Sequence, residues 1–358
     1  MNPALLHPEV QEFISQNLKT DIPSLLLGKP PFDGISNKAL AQQIVSKNKA
    51  KTKLPTWFGT AGIYYPPKQN LEQSSSERTA QYKASLVSGG SLADLTGGFG
   101  VDSYFFSKAI QEVHHCEWQQ ELSGIAQHNF KVLGGPITPH VEDGLAFLRR
   151  TTQLFDWIYV DPSRRDNRHN RVFLLADCEP NVPQHLDFLF SKADRILLKT
   201  SPLLDISAGT RELQGIKEIH IVAVHNEVKE LLWVLEANFS GAIQIKTRNY
   251  GKTEVEQFDF SQTELTLLKT DFSEPKAYLY EPNAAILKSG AFDLVTSRHG
   301  VHKLHVHTHL YTSDQLLPFP GRQFQIVQTL PYSKRITKAL GLEKANVAVR
   351  NFPETVAA

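Results

Sequence analysis

Cysteine is nearly absent: Cys116 and Cys178 are the only two in 358 residues. That is too few for a disulfide framework and suits a reducing compartment, so a cytoplasmic protein is expected. No run of about 18 apolar residues occurs, which disfavours a membrane span. The start, MNPALLHPEV, lacks a basic stretch followed by an apolar one, which disfavours secretion. An excess of charge of one sign is missing too. Lysine and arginine number 38 against 37 aspartates and glutamates, for a net charge of +1. This excludes the global field of many nucleic-acid and membrane-surface proteins and confines any polyanion site to a local patch. Internal repeats and long low-complexity segments are also absent.

What remains is globular material, 41% hydrophobic and 21% charged, in a chain longer than one core usually supports. Two or three folding units are expected. Over residues 1–88 apolar side chains recur at helical spacing (Val10, Phe13, Ile14, Leu18; later Leu40, Ile44), which predicts a helical extension. Ser74 stands three residues before Glu77, the spacing of a capping box at a helix start. An irregular loop rich in Pro and Tyr precedes it.

From Leu92 short apolar runs alternate with amphipathic segments, the texture of βα units around a parallel sheet. SLADL, EVHHCE, ITPHV, FDWIYVD and RILLKTS read as successive strands with room between them for crossover helices. IKEIHIVAV and ELLWVLEAN lie too close for such a crossover and read as an antiparallel pair. The expected organisation is a helical extension over 1–88, an α/β Rossmann-like domain over 89–240, a connecting segment over 241–270 and a small α/β domain over 271–358.

The segment ADLTGGFGVD puts Gly97, Gly98 and Gly100 on the turn from the first strand to its helix, flanked by Thr96 and Phe99. Glycine there permits tight turning and close approach of a ligand. A dinucleotide fold wants a third small residue in GxGxxG; Ser103 takes that place. Asp94, just before the glycines, would crowd a pyrophosphate but can accept hydrogen bonds from a cationic methionyl ammonium. S-adenosyl-L-methionine fits better than a dinucleotide. Glu117 closes the second strand, where a carboxylate can accept from ribose hydroxyls, and Asp143 follows the third, where an acid can accept from an adenine amino group. Open α/β sheets bind ligands at these carboxyl ends. At the fourth strand's end stands DPSRR, with Asp161, Pro162, Ser163 and Arg164.

The order DLTGGFGVD, Glu117, Asp143, DPSRR resembles class I S-adenosylmethionine-dependent methyltransferases. KLPTW, SSSERTAQYKA, LLKTSPLLDI and FPGRQFQIV narrow the resemblance to a Bacteroidetes-type group with a C-terminal THUMP-like domain. The resemblance implies a seven-stranded methyltransferase sheet. It also implies methionyl contacts from Asp94, Gly98 and Gly100, ribose contact from Glu117, adenine contact from Asp143, and a reaction centre from Asp161 to Arg164. The group's chains run on beyond NFPETVAA, so the last strand of that domain is expected outside this chain. One departure stands out. Ser163 and Arg164 replace the proline and aromatic residue with which amino methyltransferases stack a flipped base, which puts exocyclic-amine methylation in doubt. A second likeness, to RNA uridine C5 methyltransferases, would require a cysteine where Lys199, Thr200, Ser201 and Pro202 stand, so that chemistry is disfavoured.

Arg164, Arg165, Arg168 and Arg171 crowd one loop beside this centre and can hold phosphate, with Lys199 at the end of the next strand placed beside them. Lys47, Lys49, Lys51 and Lys53 form a second basic cluster. His305, His307 and His309 share a strand face by alternation, yet no acid or thiol is interleaved and no metal site is expected. The favoured reading is a methyltransferase acting on a base nitrogen of tRNA or rRNA, with no membrane partner and no assigned oligomeric state. A methyltransferase of DNA, protein or small molecules, and a non-catalytic S-adenosylmethionine- or RNA-binding protein, stay open.

Overall fold

The computed structural model describes residues 1–164, 174–266, 270–333, 344 and 346–349. The chain forms two compact units. One comprises Met1–Lys199, Arg211–Gln214 and Val234–Asn238; the other comprises Thr200–Thr210, Gly215–Trp233 and Phe239–Ala358.

The first unit opens with six helices: α1 (Pro8–Gln16), α2 (Ile22–Leu27), α3 (Asn37–Lys53), α4 (Pro55–Gly59), α5 (Lys68–Gln73) and α6 (Glu77–Ala84). Their apolar spacing buries Val10 and Ile14 from α1 and Leu40 and Ile44 from α3. Three lysines of α3 serve the extension itself. Lys47 donates to Ser15 Oγ (2.8 Å), Lys49 pairs with Glu72, and Lys53 donates to the carbonyls of Leu71 (2.8 Å) and Glu72 (2.7 Å) at the end of α5. The irregular segment between α4 and α5 is held by two buried amides. Gln43 bonds both backbone groups of neighbouring chain through Tyr65 N–H (2.9 Å) and C=O (2.7 Å), and Asn129 does the same at Tyr64 (2.9 Å each). Buried backbone away from a ladder requires such partners.

The expected capping box does not form. α6 begins at Glu77 itself, the residue expected at its third position, and Ser76 caps it by accepting from Thr79 N–H (3.2 Å). Glu77 instead accepts from Thr56 N–H (2.9 Å) and Thr56 Oγ1 (2.8 Å), and Ser74 donates to Leu71 O (2.9 Å). A tertiary contact has taken the carboxylate that local spacing assigned to the cap.

Five parallel strands follow: β1 (Gly89–Asp94), β2 (Ile110–Cys116), β3 (Ile137–His140), β4 (Phe155–Val160) and, after a two-residue ribbon of β5 (Ser163–Arg164) and β6 (Cys178–Glu179), β7 (Ala193–Thr200). They run in the order β7-β4-β1-β2-β3 with helices α7 (Val101–Phe106), α8 (Gln120–Leu133), α9 (Gly144–Arg150) and α10 (Val182–Phe190) between them. All five predicted strands are present. The order reverses between β1 and β4, and a ligand crevice belongs at the carboxyl ends on either side of that reversal.

In the second unit the strands β8 (Ile216–Val224), β9 (Glu227–Glu236), β10 (Gln244–Tyr250) and β11 (Val255–Ser261) run in the order β11-β10-β8-β9. β8 and β9 are joined by His225 and Asn226, both at positive φ (51° and 63°), the conformation a two-residue hairpin turn requires. Residues 241–270 therefore hold two paired strands. A second sheet, order β13-β14-β12-β15, joins β12 (Tyr278–Pro282), β13 (His302–His305), β14 (Thr308–Ser313) and β15 (Gly321–Gln325), all antiparallel, with helices α12 (Ala284–Ser289) and α13 (Phe292–His299). The three histidines do not share one strand. β13 ends at His305, His307 lies in the turn, and His309 in β14 stacks on Phe292 at 3.5 Å between ring centres.

One buried ion pair ties the extension to the sheet. Lys83 of α6, fully inaccessible, lies 3.2 Å from Asp102 of α7 and donates to Ser75 Oγ (3.0 Å); Ser75 and Tyr159 donate to Asp102 Oδ2 (2.8 and 2.9 Å). Lys83→Met would leave this carboxylate enclosed without its cation, which costs about 3–5 kcal/mol. A clear drop in Tm by calorimetry is the expected result.

Candidate active site

The end of β1 organises the crevice. Asp94 is fully buried; its Oδ1 accepts from Thr96 N–H (3.1 Å) and its Oδ2 from Ser103 Oγ (2.5 Å). Ser103 lies 2.9 Å from His115 Nδ1. Burial pushes Asp94 up to about 7 and holds His115 down at about 3, a neutral ring. The glycines between are forced by what surrounds them. A Cβ on Gly97 would stand 2.1 Å from the His115 ring, and one on Gly100, at φ +85°, would stand 2.4 Å from Phe130. On Gly98, at φ +56°, the nearest atom to an added Cβ would be Thr96 O, at 3.9 Å, so no clash excludes a side chain there.

Glu117 meets this turn from the end of β2. Its Oε2 accepts from Gly98 N–H (3.1 Å) and its Oε1 from Gln119 N–H (2.7 Å). Burial raises its pKa against the pull of those two donors. Each oxygen keeps a lone-pair direction for a further donor. At the end of β3 the exposed Asp143 caps α9 through Ala146 N–H (2.9 Å). At the end of β4, Asp161 N–H donates to Thr96 Oγ1 (2.7 Å) and the Asp161 carboxylate pairs with Lys199 of β7.

These residues enclose a cleft of about 320 Å³, within the usual range of small-molecule sites. Thr96, Gly97, Gly98, Phe99, Gly100, Glu117, Asp143, Asp161 and Ser163 all line it. Asp94 does not; it lies beneath the turn and positions it. Pro162 and Lys199 are likewise absent from the lining, although Lys199 reaches it through Asp161. Arg165, Arg168 and Arg171 lie outside the described residues, and only the backbone of Arg164, in β5, is described. Sequence reasoning missed several lining residues. Ser75 and Asp102 belong to the Lys83 network; Asn70 and Gln73 come from the helical extension; Glu179 and Pro180 follow from the β5–β6 ribbon. For Asp102, burial would raise the pKa, but Lys83, Lys199 and the two hydroxyl donors outweigh it and hold the carboxyl low. Its position in GGFGVD, one turn into a helix beside the glycines, was the available signal.

A parallel sheet with order reversal between β1 and β4, a glycine turn and an acid at each neighbouring strand end define a Rossmann-like methyltransferase fold. Comparison with solved structures agrees. The chain is similar to the crystal structure of a "putative methyltransferase" from Porphyromonas gingivalis W83, with 32% identity and a TM-score of 0.88 over 99% of this chain and 90% of that one. It belongs to that methyltransferase family. Residues 278–320 match a family model described as a ferredoxin-like domain, which fits the THUMP-like domain expected there. An rRNA methylase from Streptococcus thermophilus (12% identity, TM-score 0.32, 44% of this chain and 94% of that one) and M. capricolum TrmK bound to S-adenosyl-homocysteine (12%, 0.34, 49% and 70%) are also similar. At those levels the likeness bears on neither activity nor substrate. No curated protein matches the chain. Among the described residues no helix is long and apolar enough to cross a membrane, and no group of three or more metal-ligating side chains occurs.

The folded pKa of Asp94, about 7, lies above its ordinary 3.8, so the native state holds this proton more tightly than the unfolded chain. Stability from it is complete below the unfolded value and is lost as pH rises through about 7. Asp94→Asn is expected to flatten Tm against pH over that window; a slope equal to that of the wild type would contradict the assignment. Gly97→Ala is expected to abolish ligand binding at the cleft by driving the turn off His115, as isothermal titration would report.

Proposed function

We propose that this protein binds S-adenosyl-L-methionine in the β1–β4 cleft and transfers its methyl group to a nitrogen of an RNA base. The observation that carries the reading is one cleft lined from four successive strand ends by a glycine turn, Glu117, Asp143 and Asp161. The residues fit the cofactor. No neighbouring atom crowds Gly98, the free lone pairs of Glu117 suit two ribose hydroxyls, and Asp143 at the neighbouring strand end suits an amino group. When bound, the cofactor supplies an electrophilic methyl on a sulfonium.

The chain's own part is to orient the acceptor and exclude water. Asp161 and the Pro162 carbonyl stand at the strand end where an N–H can be accepted, and Lys199 fixes the Asp161 carboxylate. A nitrogen acceptor is favoured over a pyrimidine carbon because the latter requires a thiolate. Cys178 is fully buried, and burial with neighbouring carboxylates drives the Cys116 thiol pKa strongly up. Neither is a nucleophile. RNA is favoured as substrate by the arginines that follow Ser163 and by the ferredoxin-like C-terminal domain. The lysine cluster over 47–53 adds little to that case, since three of its four lysines serve the extension.

Three measurements test this. Calorimetric titration is expected to show binding of S-adenosylmethionine and not NAD. Methyl label is expected in total RNA from cells lacking the gene, and to be lost with Asp161→Ala; label in protein or metabolites instead would exclude the RNA reading. Charge reversal of Arg164 and Arg165 should weaken RNA binding and reduce the slope of log K against log salt by about 1 to 2.

A further inference from the structure

The helical extension brings two uncommitted amides into the wall of the cleft. Asn70 and Gln73 of α5, followed by Ser74 and Ser75, line it. The two serine hydroxyls are used within the protein: Ser74 Oγ donates to Leu71 O (2.9 Å) and Ser75 Oγ to Asp102 Oδ2 (2.8 Å). The side-chain amides of Asn70 and Gln73 have no hydrogen-bond partner among the described residues. Three residues apart on one helix, they are neighbours on one face. Asn70 is half-buried and Gln73 exposed, so both can be reached from the cleft.

Their place is fixed from several sides. Leu71 between them is fully buried, and Lys53 Nζ donates to the carbonyls of Leu71 and Glu72. The Asp102 oxygen that accepts from Ser75 also accepts from Tyr159 of β4 (2.9 Å). That shared acceptor sets the end of α5 on the β4 side of the glycine turn, where Asp161 and Ser163 emerge. Glu117 and Asp143, at the ends of β2 and β3, lie on the other side of β1. Groups held in this way lose little freedom when a ligand arrives.

The chemistry of the lining limits what they can recognise. None of the described residues that line the cleft is a lysine, arginine or histidine; its charged side chains are carboxylates. A phosphate is best met by cations, and on this side the extension offers two neutral amides instead. The lining aromatics are Phe99, buried against Trp57 (6.3 Å between ring centres), and Trp118, which follows Glu117 on the β2 side. A heterocycle beside Asp161 is therefore gripped by its edge rather than between rings. A carboxamide sets a C=O acceptor beside an N–H donor, which matches the adjoining donor and acceptor of a base edge.

We propose that Asn70 and Gln73 determine specificity: they hydrogen-bond the edge of the acceptor base and so select which base presents a nitrogen to the methyl group. The inference rests on the methyltransferase reading above and adds the part of the chain that recognises the acceptor. Asp161 orients the reacting nitrogen, and the two amides read the donors and acceptors along the remaining edge. A base whose edge does not match leaves the amides unpaired when it enters, which is the source of discrimination.

The test uses the full chain with Asn70→Ala, Gln73→Ala and the double variant. It combines S-adenosylmethionine titration with methyl label in total RNA from cells lacking the gene, digested to nucleosides. All three variants are expected to bind S-adenosylmethionine as the wild type does, which also shows that they fold. The ratio of label in the favoured nucleoside to label in the others is expected to fall about 10-fold or more in the double variant, with a smaller fall in each single one. An unchanged ratio, whatever the rate, would overturn the proposal. So would a loss of S-adenosylmethionine affinity that accounts for the whole loss of activity, since the amides would then serve the cofactor; both results leave the methyltransferase reading intact. A wild-type protein that binds no S-adenosylmethionine, or that labels protein or metabolites in place of RNA, would overturn that reading and this one together.

Discussion

The Asp94 carboxylate, sealed under the first strand's end, fixes everything above it. It holds Thr96 by a backbone hydrogen bond and Ser103 by a side-chain one, and so pins the glycine turn at both ends. Thr96 in turn receives Asp161 N–H, which locks the end of β4 to the end of β1. Gly98 N–H meets Glu117, which brings in the end of β2. A buried carboxyl is costly unless it is bonded or protonated. Here the two bonds and the raised pKa answer that cost together. The cleft is thus prearranged by backbone and short side chains, with few rotamers to order when a ligand arrives.

A second buried assembly, Lys83 with Ser75, Asp102 and Tyr159, joins the helical extension to the wall of the same cleft. Its role is geometric. Asn70, Gln73 and Ser75 reach the lining because α6 is tied to α7 by charge and the segment at Tyr64 and Tyr65 is tied to α8 and α3 by two buried amides. The extension is therefore part of the site's wall in its own unit, and Lys47, Lys49 and Lys53 of α3 find their use in holding it.

The strands and the acids at their carboxyl ends were legible in the sequence because both signals are local: apolar runs of strand length, each closed by an acid or a glycine. What stayed illegible was long-range. Glu77 has the right spacing for a capping box, but Thr56, 21 residues away, captures it. The histidine run alternates as a strand would, yet a turn at His307 breaks it in the middle. Lys83 is fully buried, because its partner lies on the next helix along, and no local pattern marks it. Glu179 sits on a strand of two residues, too short to carry any periodicity.

The central claim is that glycines and acids from consecutive strand ends surround one adenosyl group. A crystal structure with S-adenosylhomocysteine tests it most directly. The account predicts ribose density against Glu117, adenine beside Asp143, and the sulfur turned toward Asp161 and Ser163. Density for the ligand elsewhere, or a cleft that stays empty under saturating ligand, would contradict it.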